Sequence, residues 1–270
     1  MRFHRKLLLF FLCIPFSVIA TESDKECPRI ISQSPYISEM LSYLGMKHCI
    51  VGFSRYSKRD LPRTGGILDP DVAAIDALMP DLIITSDWSK EVTLKKATPK
   101  GAKAIRLKSF NKMNQLENNM LDIIKATNWQ QATQKVESFK KAWRKKVTQV
   151  KGNNKKVLLL SSCSGNAYSI GPNSRLYDLF TQAGFNVVET KEKIRHVRDG
   201  EEIKHITGLL NRYQPDLLFI FERRLKKQCQ MMTPKVPVSI LSFNGELFLH
   251  PNTKILKGLD LLINKKHRWN

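Results

Sequence analysis

The residues best equipped for chemistry are a cysteine, two histidines, a few arginines and a scatter of aromatics. Cys163 stands in Ser161-Ser162-Cys163-Ser164-Gly165-Asn166, a small polar loop after an apolar run. A nucleophilic thiol needs a neighbouring base and a lowered pKa. His196 and His205 are bases that the sequence offers, but no spacing joins them to Cys163. Small polar residues followed by Tyr168 suit a ligand-facing loop better, so an exported enzyme using Cys163 and His196 stands as the alternative to a binding role. Arg195, His196 and Arg198 lie in a charged stretch, residues 189–202. They suit carboxylates or phosphates of a ligand, and the imidazole suits a metal with an open position. A solvated loop is the plain alternative for each of them. Trp88 follows an apolar run and offers a face for stacking on a flat ligand. No cysteine has the Cys-x-x-Cys spacing of a zinc or thioredoxin-type site.

The elements that position these residues follow one grammar. Residues 55–85 read as a loop, a glycine turn, a short helix and a buried strand. Gly65 and Gly66 permit positive φ and close backbone approach. Asp69 before Pro70 predicts a helix cap, and Val72, Ile75 and Leu78 one apolar helix face. Pro80-Asp81 leads into Leu82-Ile83-Ile84-Thr85, an apolar run of strand length. The loop then sits at the mouth of a sheet, where open α/β folds hold ligands. Earlier, residues 29–33 predict a strand, Ser34-Pro35-Tyr36 a turn, residues 37–44 a helix and residues 50–53 a strand. Later, Tyr213-Gln214-Pro215-Asp216 before residues 217–221 repeats the helix, Pro-Asp, strand step.

Residues 28–88 carry a family resemblance almost without gaps: RIISQSPYISEMLSYLGMKHCIVGFSRYS, then LPRTGGILDPDVAAIDALMPDLIIT. They resemble the periplasmic substrate-binding proteins of cobalamin and iron–siderophore or haem ABC importers, nearest to the cobalamin binders. Residues 171–187, 206–221 and 236–262 match more loosely. The resemblance implies an α/β fold of two Rossmann-like lobes with parallel sheets, joined by one long helix, gripping a ligand between facing edges. It divides the chain into a signal peptide (1–20), an N-terminal lobe (28–112), a helical segment with the inter-lobe helix (113–152) and a C-terminal lobe (153–270). It implies a metal chelate as ligand, cobalamin first, with haem or a ferric siderophore as alternatives, and no resident cofactor. The candidate ligand contacts are Pro35, Tyr36, Arg55, Tyr56, Gly65, Gly66, Trp88, Tyr168, Arg195, His196 and Asn244. No catalytic residue and no metal ligand is expected. The flat rings suit corrin or porphyrin, and the arginines suit haem propionates or a carboxylate siderophore.

The partner implied is an inner-membrane ABC permease. Members of the family usually dock through one exposed glutamate per lobe. Here Ala73-Ala74 and Thr207-Gly208 occupy those regions, with Asp71, Asp76, Glu201 and Glu202 nearby.

Composition sets the remaining expectations. A basic start (Arg2, Arg5, Lys6), an apolar run and Val18-Ile19-Ala20 read as an export signal cleaved after Ala20, hence a periplasmic protein. Cys13 lacks the small neighbours of a lipidation site. Removing that segment's three basic residues leaves 42 cations against 24 acids, a net +18. Such charge suits nucleic acid, anionic lipid or an anionic ligand, but the lysines are spread over many faces, so no nucleic acid is expected, and a monomer is. Cys27 and Cys49 each precede a predicted strand. If those strands are parallel neighbours, both sulfurs fall at one sheet edge, and strand spacing of about 4.8 Å suits a disulfide. Pairing of Cys163 with Cys229 has no such argument. The basic tail, residues 265–270, is expected to be loose.

Overall fold

A computed structural model describes residues 27–57, 60–108, 110–162, 167–222 and 237–270. The expected signal segment, Cys163 and Cys229 lie outside the described residues.

The first sheet is all parallel, in the order β2-β1-β3-β4, from β1 (Ile30–Ser32), β2 (Ile50–Phe53), β3 (Leu82–Ser86) and β4 (Lys103–Leu107). Every residue of β1 and β3 is buried, as expected of strands covered on both faces. Alternation along them feeds two cores. Ile30, Leu82 and Ile84 face the main core with α1 (Pro35–Tyr43). Ile31 and Ile83 face Ile75 of α2 (Val72–Ala77) and Leu94 of α3 (Glu91–Ala97).

Two helix starts differ from expectation. Ser34 caps α1, its Oγ accepting the Ile37 amide, so Pro35 and Tyr36 belong to the helix's first turn rather than to a separate turn. Proline at that position has no amide hydrogen to leave unpaired. The cap of α2 is Asp71, whose Oδ1 accepts the Ala74 amide, not Asp69. The backbone bonds Gly66 N to Asp69 O and Asp71 N to Thr64 O hold Asp69 and Pro70 in a loop against residues 64–66.

The second sheet has the order β10-β9-β5-β6-β8, with β7 also on β5. Its strands are β5 (Lys156–Leu160), β6 (Ala167–Ile170), β7 (Asn186–Val187), β8 (Ile194–Val197), β9 (Leu217–Glu222) and β10 (Ser239–Asn244). Strands β7, β5, β9 and β10 pair in parallel, but β6 runs antiparallel to β5 and β8, so this sheet is mixed. The short return from β5 into β6 dictates that reversal, because parallel neighbours need a long crossover.

Between the sheets in sequence run α4 (Met113–Thr127) and α5 (Thr133–Val150), separated at Asn128 in the left-handed conformation, φ 54°. Trp143 is buried and donates its indole hydrogen to Glu117 Oε1 at 2.7 Å, locking α5 to α4. On the other side α5 packs along α8 (Ile255–Lys265), with Lys146 paired to Asp260. The main core is continuous from the first sheet through α4 and α5 into the second. Arg175, at the start of α6 (Arg175–Gln182), is fully buried and donates to the Phe248 and His250 carbonyls. Burial lowers its pKa to about 10, against the opposing pull of Asp178.

The C-terminal tail is not loose. Residues Lys266–Arg268 form a 3-10 turn, Trp269 is buried against Phe185 and Phe219, and its indole donates to the Lys151 carbonyl at 3.2 Å.

Cys27 and Cys49 lie at the amino ends of the paired strands β1 and β2, with Cα atoms 5.6 Å apart and sulfurs in contact. If they form a disulfide in the exported chain, closing a 22-residue separation, reduction should cost about 3 kcal/mol through loop entropy. Urea unfolding with and without reductant, beside Cys27→Ser, checks this. Equal stability of oxidised wild type and Cys27→Ser would mean two thiols.

Candidate ligand-binding site

The carboxyl ends of β1, β2 and β3 deliver residues 33–36, 54–57 and 86–88 to one edge of the first sheet. There Tyr36 meets Trp88 edge-on, with ring centroids 6.4 Å apart, and Phe110 at 5.2 Å. Tyr36 is 7% exposed and Trp88 63%, so the cluster runs from core to solvent with its open end at the indole. Phe110, in the loop between β4 and α4, was not anticipated. It belongs to no periodic pattern, and only the return of the chain beside α1 brings it to Tyr36.

Six buried polar atoms at the same edge have no hydrogen-bond partner among the described residues: Gln33 Oε1, Tyr36 OH, Ser54 Oγ, Thr85 Oγ1, Ser86 Oγ and Asp87 Oδ1. Buried polar atoms are ordinarily paired, so their concentration at three strand ends sets this edge apart. Burial pushes the Tyr36 phenol above its ordinary value. The nearby Ser86 and Ser34 hydroxyls pull the other way, but neither makes a well-formed bond to it. A cavity of about 10 Å³ beneath the 66–70 loop touches Gln33 and Thr85. Its size is that of a single water. A larger recess of about 690 Å³ lies elsewhere, along the outer strand β4 and α4.

Arg55, Tyr56, Gly65 and Gly66 form the rim. Arg55 is ion-paired with Asp69 at 2.7 Å and donates to its carbonyl. Gly65 has φ +78°, and a Cβ there would lie 2.4 Å from the Asp71 amide nitrogen. A Cβ on Gly66 would lie 2.7 Å from Asp69 Oδ1 and 3.5 Å from the Tyr56 ring. Both glycines therefore shape the loop, while Tyr56, 67% exposed, projects from it.

At the second sheet the corresponding edge carries Ser161, Ser162, Glu222 and Asn244. The β6 register places Tyr168 beside Ser161, whose Oγ accepts the Tyr168 amide, and β8 places His196 opposite Tyr168. Their rings meet edge-on at 6.2 Å, and His196 Nδ1 is buried without a hydrogen-bond partner among the described residues. Asn244 caps the turn that follows, its Oδ1 accepting the Glu246 amide.

Arg195 is not available to a ligand. Its neighbourhood is a strand rather than a loop, and alternation along β8 turns Arg195 inward when His196 faces Tyr168. There it pairs with Glu189 at 3.2 Å, with Glu202, and with the Tyr213 hydroxyl. Glu201 pairs with Arg198, Glu202 also pairs with Arg212, and Asp71 caps α2. Asp76 alone of the four nearby acids is exposed and makes no described ion pair or cap.

A parallel sheet and a mixed sheet with helices packed between them make a two-lobe α/β fold that solved periplasmic solute-binding proteins share. Solved structures agree. The chain superposes on the periplasmic vitamin B12-binding protein of Vibrio cholerae with a TM-score of 0.71 at 16% identity, covering 90% of this chain and 98% of that one. The periplasmic haem-binding protein of Vibrio cholerae gives 0.72 at 18%, covering 87% and 97%. A possible iron-binding periplasmic solute-binding protein of Staphylococcus epidermidis gives 0.68 at 20%, covering 89% and 98%. No protein-family model and no curated protein matches this sequence.

Proposed function

We propose that this protein is an exported solute-binding protein that captures a bulky metal chelate, cobalamin first, and hands it to an ABC importer without catalysing a reaction. The observation that carries the reading is the aromatic cluster Tyr36, Trp88 and Phe110 set among the unpaired polar atoms of one sheet edge. Rings supply apolar contact to a flat macrocycle, and a few convergent polar groups orient it. The polar atoms are hydroxyls, an amide oxygen and a carboxylate oxygen, buried in the ligand-free chain, and once ligand entry uncovers them they are acceptors for carboxamides such as those rimming a corrin. Two of the three cations that would meet haem propionates are engaged, Arg55 by Asp69 and Arg195 by Glu189 and Glu202, while Arg63 is exposed and makes no described ion pair. Haem is the second reading, because Tyr56 is exposed on the loop surface, where a phenol can approach an iron.

Importer docking would have to use Asp76 or another contact in place of the family's glutamates. Isothermal titration of ligand-free mature protein with cyanocobalamin tests the proposal. Saturable one-to-one binding at micromolar affinity or tighter is expected. Absence of heat with cyanocobalamin, beside saturable binding of haem, would overturn the corrin assignment.

A further inference from the structure

Six cations come together at the amino edge of the second sheet, the edge away from Ser162, Glu222 and Asn244. Lys151, Lys155 and Lys156 follow α5 and open β5, while Lys265 ends α8 and Lys266 and Arg268 lie in the 3-10 turn after it. More than a hundred residues separate the two groups in sequence. The Trp269 indole bond to the Lys151 carbonyl and the Asn153–Asn270 side-chain bond at 2.7 Å hold them side by side. Neither segment, 151–156 or 265–270, contains an acid. The acid that hydrogen bonding brings there is Asp216, whose carboxylate accepts the Lys156 amide. Residues 189–202 differ, since Arg195, Arg198 and nearby Arg212 are paired to glutamates there.

We propose that this patch is a docking surface for an anionic phospholipid bilayer. None of the large exposed apolar residues belongs to it, so contact is electrostatic, without insertion and reversible by salt. The same lack of exposed aromatics removes the stacking platforms that single-stranded nucleic acid uses. A bilayer asks only for adjacent cations, each worth about 1 kcal/mol near an anionic surface. Because the patch lies on the sheet edge opposite the candidate site, such docking leaves that edge open to ligand.

The test is sedimentation of the mature protein with vesicles of mixed phosphatidylglycerol and phosphatidylcholine, against phosphatidylcholine alone, at low and high salt. Binding should require phosphatidylglycerol and fall with salt. The triple variant Lys265→Gln/Lys266→Gln/Arg268→Gln should bind about a hundredfold more weakly. Lys155→Gln/Lys156→Gln, from the other segment, should also weaken binding, by about thirtyfold. Lys95→Gln/Lys96→Gln/Lys100→Gln, which removes the same charge from the first lobe, should leave most binding intact. Thermal melts show that the variants are folded. Equal loss in the first-lobe control, no dependence on phosphatidylglycerol, or tighter binding to an oligonucleotide than to vesicles would overturn the proposal.

Discussion

Arg195→Ala should lower unfolding free energy by about 3–5 kcal/mol, the scale for removing one partner of a buried ion pair. A domain of this size would lose roughly 10 °C in Tm. Glu189 is 1% exposed and accepts bonds from Ser169, the Lys191 amide, the Tyr213 hydroxyl and Arg195. Burial pushes its carboxyl pKa up, but those four donors outweigh burial and hold it below the ordinary value. A depressed carboxylate contributes stability above its unfolded pKa, about 4.3, and that contribution fades as pH falls through the lower folded value. Without Arg195 the opposing burial gains weight and the folded pKa rises. The deficit of Arg195→Ala should therefore be largest near neutrality and shrink on acidification toward about pH 4. Urea melts of both proteins across that range check it. A deficit below about 1 kcal/mol, or one independent of pH, would mean that Arg195 stabilises mainly through its hydrocarbon stem.

Trp88→Ala should leave stability within about 0.5 kcal/mol, as for an exposed side chain. It should weaken cyanocobalamin binding by about thirtyfold or more, the size of an aromatic hot spot. Tyr36→Phe separates scaffold from site more sharply. It keeps both ring contacts and deletes a buried hydroxyl without a formed bond. Losing an unsatisfied group is neutral or stabilising, so the free chain should melt no lower while affinity falls. Titration calorimetry and thermal melts on the same preparations read both effects. Unchanged affinity in both variants would move the site away from this sheet edge.

Local pattern explains where sequence reading succeeds. Leu82-Ile83-Ile84 is buried on both faces because it is apolar at every position, and a parallel central strand requires that. Val136, Phe139, Trp143 and Val147 fall on one side of a helix and are buried together in α5. The carboxyl edge of the first sheet was legible in the same way, since strand ends with glycine, serine and aromatic residues mark ligand loops in α/β folds. The exact start of α2 was not, because Asp69 and Asp71 are equally good caps by residue type. Long-range bonds to Thr64 and Gly66 decided between them.

By itself the sequence determined the α/β class, most strands and helices though not α3, β6 or β8, and the nearness of Cys27 to Cys49. Each depends on residue types within one or two neighbouring elements. Tertiary structure alone decided that Arg195 serves Glu189 and Glu202 rather than a ligand, that Phe110 completes the aromatic cluster, and that Lys151 and Arg268 share a surface. Charge and ring type say what a side chain can bind. Which partner it meets depends on strand register and on chain returns spanning many residues, and those are set by the packing of the whole core.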